Sequence, residues 1–196
     1  MPTTSPRPRP ARDRILAAAG DLFYTQGTTS TGIDTVTERA GVARKSLYNN
    51  FSSKDDLVAA YLEQRHTTWL GFHAARAAQA ADDSDADHAD SATRSALAAL
   101  AVFDAYLDHA AAEGDGFRGC GLLNTAGEYP VDSPVRETVR RHKDEIAQLL
   151  ADAVPDRAEL LSYLLEGAVT RAGLDNSPER LHHARDMAAH ILGLPA

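Results

Sequence analysis

Alanine dominates long stretches of this chain, and β-branched residues rarely follow one another. It is abundant from Ala11 to Ala112, whereas consecutive runs of Val, Ile and Thr are nearly absent. Alanine has the highest helix propensity, and strands favour the β-branched residues that are scarce here. The sequence therefore predicts an all-α protein without a sheet.

The chain has enough apolar residues for a buried core and offers no candidate membrane span. Of its 196 residues, 43% are hydrophobic. Charged residues interrupt each apolar stretch before it reaches the roughly 18 residues of a span. The proline-containing start lacks the apolar stretch of a secretory signal. The single cysteine, Cys120, fits a reducing compartment. We expect a cytoplasmic protein with no membrane partner.

Charge is distributed unevenly along the chain. The net charge is −8, yet residues 1–55 carry +3 and the remainder carries −11. DNA affinity comes largely from basic side chains that meet phosphates. This polarity indicates that the N-terminal part approaches DNA while the rest does not.

Proline and glycine breaks divide the apolar pattern into helical segments. Hydroxyl residues at 28–31 are expected to cap the second helix, and the acidic run 82–90 is expected to be a solvated linker. The glycine-rich but apolar segment 117–129 predicts a helix or a broken helix. The other predicted helices span 11–26, 33–40, 43–50, 54–80, 91–113, 135–150, 157–172 and 178–192.

Two short helices around Gly41 match the plan of a helix-turn-helix, whose second helix lies in the major groove. Val42 and Leu47 are expected to fill the space between the two helices. The outward side chains of the second helix can then donate to phosphates and base edges, arginine and lysine favouring guanine and asparagine favouring adenine.

The run from Thr31 to Leu57 closely resembles the signature of the TetR family. The shared features are the Ala-Gly-Val turn, the Leu47-Tyr48 pair, Phe51, and a lysine that opens the fourth helix. With the first helix, the resemblance covers about residues 11–62. It implies a homodimer whose third helices read two half-sites of a palindromic operator in double-stranded DNA, while a ligand in the C-terminal domain changes the separation of those helices.

The resemblance implies a phosphate contact for Tyr48 and DNA contacts for several of its neighbours. For Tyr48, core packing is an alternative. For Arg44 and Lys45, a solvated basic face is the alternative, and Lys45 stands where the family often has a small residue. The candidate DNA-binding residues are Thr31, Ala43, Arg44, Lys45, Ser46, Tyr48, Asn49 and Lys54.

These features divide the chain into three parts. Residues 1–10 are expected to be a disordered arm, 11–55 the helix-turn-helix domain, and 56–196 a ligand-binding and dimerisation domain. Arg7 and Arg9 in the arm could enter a minor groove or belong to a solubilising tail. Apolar faces at 160–169 and 181–192, including Leu164 and Ile191, predict that the last two helices form the dimer.

The segment Phe117 to Pro130 resembles a block found in one large group of TetR-type sensor domains. We expect a small, largely apolar effector in a cavity around Phe103, Phe117, Leu123 and Asn124. For the aromatic residues, ordinary core packing is the alternative, and for Asn124 and Glu128 an internal hydrogen-bond network. The candidate ligand-binding residues are Trp69, Phe72, Phe103, Tyr106, Phe117, Cys120, Leu123, Asn124, Glu128 and His142.

Other chemistries find little support in the sequence. Cys120 could be a redox sensor or a buried structural thiol. The eight histidines are scattered without a Cys/His cluster, so we expect no metal and no cofactor. Neither a nucleophile with a base nor a phosphate-binding loop is recognisable, which argues against an enzyme. A pure interaction module remains an alternative to a DNA-binding regulator.

Overall fold

The computed structural model describes residues 10–82 and 90–194, and within these ranges it contains α-helices and one short 3-10 turn but no strand. The prediction of an all-α fold is therefore confirmed. Residues 1–9 of the expected arm and residues 83–89 of the expected acidic linker lie outside the described residues. The expected arm extends to Pro10, but Pro10 is the first residue of the first helix. The helices are α1 Pro10–Gln26, α2 Ile33–Ala40, α3 Arg44–Asn50, α4 Lys54–Asp82, α5 Ser91–Glu113, α6 Gly121–Gly127, α7 Pro134–Ala153, α8 Ala158–Asp175 and α9 Glu179–Ile191.

The turn between α2 and α3 depends on a glycine. Gly41 has φ 61° and ψ 43°, the left-handed conformation that glycine adopts at little cost. Its N–H donates to the carbonyls of Glu38 and Thr37, which ends α2. Leu47 of α3 is fully buried and Val42 packs against the same core, as the sequence predicts.

The prediction that a hydroxyl side chain caps α2 is wrong. Helix α2 begins after Gly32, which has no side chain to cap it. Thr31 is buried, and its hydroxyl donates to the carbonyl of Gly27 at 2.7 Å. The threonine therefore secures the end of α1 and not the start of α2. A hydroxyl cap does begin α4, where Ser53 Oγ accepts the Asp56 N–H at 3.0 Å.

The apolar core around α1 to α3 does not stop at α3. Ile15, Val36 and Leu47 share one buried cluster with Tyr61 of α4 and Leu122 of α6. A second cluster joins α4, α5, α7, α8 and α9. The helix-turn-helix thus packs directly on α4 and α6. A displacement of either helix therefore changes the contacts of α1.

The segment between α5 and α6 requires glycine for close packing. A 3-10 turn at Gly114–Gly116 leads into an extended stretch ending at Cys120. A Cβ on Gly173 of α8 would lie 2.5 Å from the Gly119 nitrogen, and Gly119 itself has φ +78°. Two glycines therefore let the backbone of this stretch touch α8.

No helix within the described ranges is long and apolar enough to cross a bilayer.

Candidate functional site

Helix α3 presents a polar and basic face to solvent. Arg44, Lys45 and Asn49 are exposed, while Leu47 faces inward with no exposed surface. Ser46 is half-buried, and Ala43 is the exposed residue that precedes the helix. The helix is held by Leu47 and by Phe51, which is 2% exposed. A short helix anchored on one side in this way can lay its other side in a groove without refolding.

Tyr48 lies outside the core, so the core-packing alternative for this residue is wrong. Its side chain is 44% exposed, and the Arg44 guanidinium lies 5.8 Å from its ring centroid. Arg44 also pairs with Asp34 of α2 at 3.0 Å, with both side chains well exposed. An exposed pair of this kind is weak. The guanidinium can therefore exchange Asp34 for a phosphate.

Two further candidate DNA-binding residues have internal partners. Lys54 Nζ donates to the Thr29 carbonyl at 3.2 Å, which ties the start of α4 to the turn after α1. The Thr31 side chain is 2% exposed and its hydroxyl is engaged with Gly27. The prediction that Thr31 contacts DNA is therefore corrected, because its side chain does not reach the surface.

Glu128 connects the end of α6 to the turn between α1 and α2. Its carboxylate accepts the backbone N–H groups of Thr28 at 3.0 Å and Thr29 at 2.7 Å, and also the Thr29 hydroxyl. Partial burial acts to raise the pKa of Glu128, but these hydrogen bonds hold the pKa below its ordinary value. Of the two alternatives for this residue, the structure shows the internal network.

A second connection runs through Tyr24 of α1. Its hydroxyl accepts the Arg118 N–H at 2.6 Å and donates to the Gly119 carbonyl at 3.1 Å. Burial raises the pKa of Tyr24, which keeps the hydroxyl protonated and able to donate. The Arg65 guanidinium stacks over the Tyr24 ring at 4.2 Å and donates to Glu113 at 2.9 Å. Tyr24 therefore joins α1 to α4 and to the stretch before α6.

A small interior cavity of about 20 Å³ lies behind this connection. Four of the candidate ligand-binding residues line it: Trp69, Tyr106, Phe117 and Cys120. The Tyr106 hydroxyl accepts from Lys143 at 2.7 Å, and Lys143 is paired with Glu166. The cavity lining is thus mostly apolar with Arg65, His66 and His109 among it, and the Lys143–Glu166 pair lies beyond Tyr106.

The other candidate ligand-binding residues lie elsewhere, so the prediction that Phe103, Phe117, Leu123 and Asn124 line one cavity is wrong. Leu123, Asn124 and Glu128 line an outer groove against the turn after α1. Asn124 is exposed and donates to the Arg118 carbonyl at 2.9 Å. Phe103 is a fully packed core residue, and Phe72 packs half-buried against the same core. Helix α6 is only seven residues long, and its polar face is turned towards α1.

His142 belongs to a buried pair between α4 and α7. Its ring stacks on that of His66, with centroids 4.1 Å apart and planes 4° apart. Each Nε2 approaches a carboxylate of the opposite helix: His66 lies 2.7 Å from Glu145, and His142 lies 3.1 Å from Glu63. The pair holds α4 against α7. Across residues 10–82 and 90–194, no group of three or more His, Cys, Asp or Glu side chains could hold a metal.

An apolar face remains exposed on α8 and α9. Leu160 and Tyr163 of α8 are 51% and 68% exposed, and Met187 of α9 is 55% exposed. Leu164 and Ile191, the residues chosen from the sequence, are half-buried against the core of their own chain. The exposed residues fall within the predicted ranges 160–169 and 181–192, and Leu164 borders the same surface as Tyr163 and Met187.

Three residues of the site were not singled out from the sequence: Tyr24, Tyr61 and Arg65. Tyr61 and Arg65 are four positions apart on α4, and this spacing, which places them on one face of the helix, was the available signal. The contacts of Tyr24 with Arg118 and Gly119 span more than ninety residues, and the sequence carries no local sign of them.

The N-terminal part of the chain is similar in sequence to known regulatory proteins. The model of bacterial regulatory proteins of the tetR family matches residues 15–61. The HTH-type transcriptional activator FasR of Mycolicibacterium smegmatis is 44% identical over 55 residues, which cover 28% of this chain and 25% of that protein. The regulator TtgR of Pseudomonas putida is 39% identical over 66 residues, covering 34% and 30%. The matched parts therefore span about a quarter to a third of these relatives.

Similarity to solved structures extends over nearly the whole chain. A TetR-family transcriptional regulator from Streptomyces coelicolor is 31% identical, with a TM-score of 0.74 over 95% of this chain and 90% of that one. The reduced form of NemR from E. coli has a TM-score of 0.66 over 95% and 99%, at 21% identity. The second likeness concerns the fold alone.

Proposed function

The chain belongs to the TetR family of bacterial regulatory proteins, and on this basis we propose that it is a cytoplasmic transcription repressor that binds a palindromic operator as a homodimer. A small, largely apolar effector then releases it from the operator. The matched relatives are named as transcription regulators, FasR as an activator and KstR2 as a repressor. We therefore assign a regulator and not an enzyme.

The observation that carries the proposal is the outward face of α3. Lys45 and Asn49 are exposed on a helix that is anchored by a fully buried leucine. In this geometry they reach base edges in the major groove, while Arg44 and the Tyr48 hydroxyl bind phosphates. Ala43 and Ser46 lie at the margin of the same face and contact the backbone of the duplex, and Lys54 at the start of α4 adds a further backbone contact.

The exposed apolar face of α8 and α9 supports a two-fold dimer. Tyr163, Leu160 and Met187 would be covered by the same residues of a second copy, as a two-fold interface requires. Such a dimer presents two α3 helices, which read half-sites about 34 to 36 Å apart. The effector changes the separation of the two α3 helices, because Tyr24 connects the cavity to α1 and Glu128 ties α6 to the turn after α1.

Selection from a random duplex library tests the proposal. The full chain should enrich a palindromic sequence and bind it as two copies per duplex, whereas Lys45→Ala combined with Asn49→Ala should lose the enrichment. Arg141→Ala, an exposed arginine of α7, serves as the matched control and should enrich the same site. Absence of any enriched sequence, with a folded dimer, would instead assign the chain to interaction modules.

A further inference from the structure

One face of α4 carries a row of polar atoms that have no hydrogen-bond partner within the described residues. Tyr61, Arg65 and Trp69 are spaced four residues apart, so their side chains lie above one another on the helix. The Tyr61 hydroxyl, Arg65 Nε and Trp69 Nε1 are buried and unpaired among residues 10–82 and 90–194. Tyr61 is 1% exposed and Trp69 is 3% exposed.

All three of these atoms can donate a hydrogen bond. Arg65 Nε and Trp69 Nε1 are donors only, and the Tyr61 hydroxyl can donate as well. A buried donor without an acceptor is destabilising, so the row favours any molecule that brings acceptors to it. A ligand that only filled space would leave the donors unpaired.

The row borders the interior cavity and faces the start of α6. Arg65 and Trp69 line the cavity together with apolar walls that include Phe117, Ile146 and Val169. A Cβ built on Gly121 would lie 2.6 Å from Arg65 Nε and 3.0 Å from the Tyr61 hydroxyl. The backbone of Gly121 therefore covers the two donors directly.

The cations at this site already have carboxylate partners. Arg65 is paired with Glu113 at 2.9 Å, and Lys143 is paired with Glu166. A carboxylate ligand would add a buried charge with no unpaired cation to meet it, and an ammonium would face donors. An uncharged oxygen acceptor satisfies the donors and adds no charge.

An opening to solvent lies beside the row. A cleft of about 520 Å³ is formed by α1, α4 and α5, and Arg65 and His109 line both this cleft and the cavity. The cavity itself has room for about one water molecule. A ligand that reaches the donors must therefore turn the Arg65 side chain away from the Tyr24 ring and lift Gly121 from α4.

We propose that the effector is an uncharged molecule with an apolar body and a carbonyl oxygen, which accepts hydrogen bonds from Tyr61 and Arg65, the two donors that lie against Gly121. This inference rests on the proposed function, because it names the chemistry of the same effector site. Binding moves the Cys120–Gly121 backbone and takes Arg65 away from the Tyr24 ring. Both changes reach α1, because Tyr24 holds the stretch before α6.

Four probes of similar size separate the chemical classes: butylbenzene without an acceptor, benzylacetone with a neutral ketone, phenylbutyrate with an anion, and phenylbutylamine with a cation. Trp69 is the single tryptophan of the chain, so its fluorescence reports binding at the cavity in the full-length protein without DNA. We expect benzylacetone to bind at least tenfold more tightly than each of the others. Equal binding by all four, tighter binding by phenylbutyrate, or binding by none overturns the proposal.

Tyr61→Phe removes one donor and keeps the ring, so it should fold like the parent. It should weaken benzylacetone roughly tenfold, as expected for the loss of one hydrogen bond, and leave butylbenzene unchanged. Thr138→Val, which removes a hydroxyl that donates within α7, is the matched control and should leave both unchanged. A benzylacetone response that Tyr61→Phe retains and Cys120→Ser abolishes overturns the proposal in favour of the thiol. Because no DNA is present, operator selection by the same protein separates failure of this inference from failure of the proposed function.

Discussion

The carboxylate of Glu128 accepts the backbone N–H of Thr29 at 2.7 Å. These residues are 99 positions apart, and their contact joins α6, beside the cavity, to the turn that precedes α2. With the Tyr24 contacts, it gives two direct connections between the C-terminal helices and the helix-turn-helix. A movement of α6 therefore displaces the turn that precedes α2, and a movement of this turn displaces α6.

Glu128→Gln should lower the stability of the protein and weaken the connection between α6 and the turn that precedes α2. The amide keeps the size of the side chain but loses the charge that strengthens three hydrogen bonds, so we expect a loss of about 1 to 2 kcal/mol in the free energy of unfolding. Urea denaturation measures it. Glu137→Gln, an exposed residue paired with Arg140 on α7, is the control and should change stability little. Equal losses for the two variants would show that the contact of Glu128 with the α1–α2 turn stabilises the protein no more than an exposed ion pair does.

The His66–His142 pair should make the protein less stable in mild acid. Burial and the adjacent His66 lower the pKa of His142 below its ordinary value of 6.5, against the opposing effect of Glu63. As the pH falls below 6.5, the unfolded chain takes up a proton that the folded chain does not, so stability decreases over this range. NMR titration of the His142 ring checks the cause directly. A His142 pKa at or above 6.5 would contradict this explanation.

Gly173→Ala should destabilise the protein by about 1 to 3 kcal/mol, as expected for an added methyl group in a packed site. The new Cβ would meet the backbone of Gly119 and Arg118, which cannot rotate away as a side chain can. Gly71→Ala in α4 is the control, because nothing lies within 4 Å of that position. It should be neutral or slightly stabilising, since alanine favours helix. Thermal unfolding of both variants measures the change in stability. A Gly173→Ala protein as stable as the parent would mean that α8 does not touch the stretch that contains Arg118 and Gly119.

Charge on the exposed face of α8 and α9 should prevent dimerisation. Tyr163→Lys and Met187→Lys each place a cation where the partner would bury an apolar side chain. Sedimentation velocity at micromolar concentration should show a dimer for the parent and monomers for both variants. Val131→Lys replaces a residue that is 70% exposed on the turn before α7, and it should remain dimeric. A monomeric parent would exclude this interface.

Local signals explain why the helix bounds could be predicted. Helix α2 ends at a glycine with positive φ and α4 begins with a serine cap, and both signals lie within a few residues of the helix end. The apolar stripe of α1 is periodic over its full length, so its inward residues Ile15 and Leu22 were also predictable.

Contacts between segments that are distant in the sequence explain why some site residues were predicted wrongly. Leu47 and Tyr48 are adjacent on α3, and the packing of α3 on the other helices buries Leu47 and leaves Tyr48 44% exposed. The sequence could not say which way the seven-residue α6 was rotated, and Leu123, Asn124 and Glu128 were therefore assigned to the cavity instead of the outer groove. Thr31 was assigned to DNA by resemblance, although its hydroxyl closes the turn after α1.

Binding of the selected operator duplex by Lys45→Ala tests the DNA-binding assignment most directly. In fluorescence anisotropy titrations at several salt concentrations, this variant should lose about 1 to 3 kcal/mol if Lys45 reads a base, or reduce the salt slope by about one if it meets a phosphate. Arg141→Ala should bind like the parent at each salt concentration. If Lys45→Ala binds with the affinity and salt slope of the parent, α3 is not the recognition helix and the account is wrong.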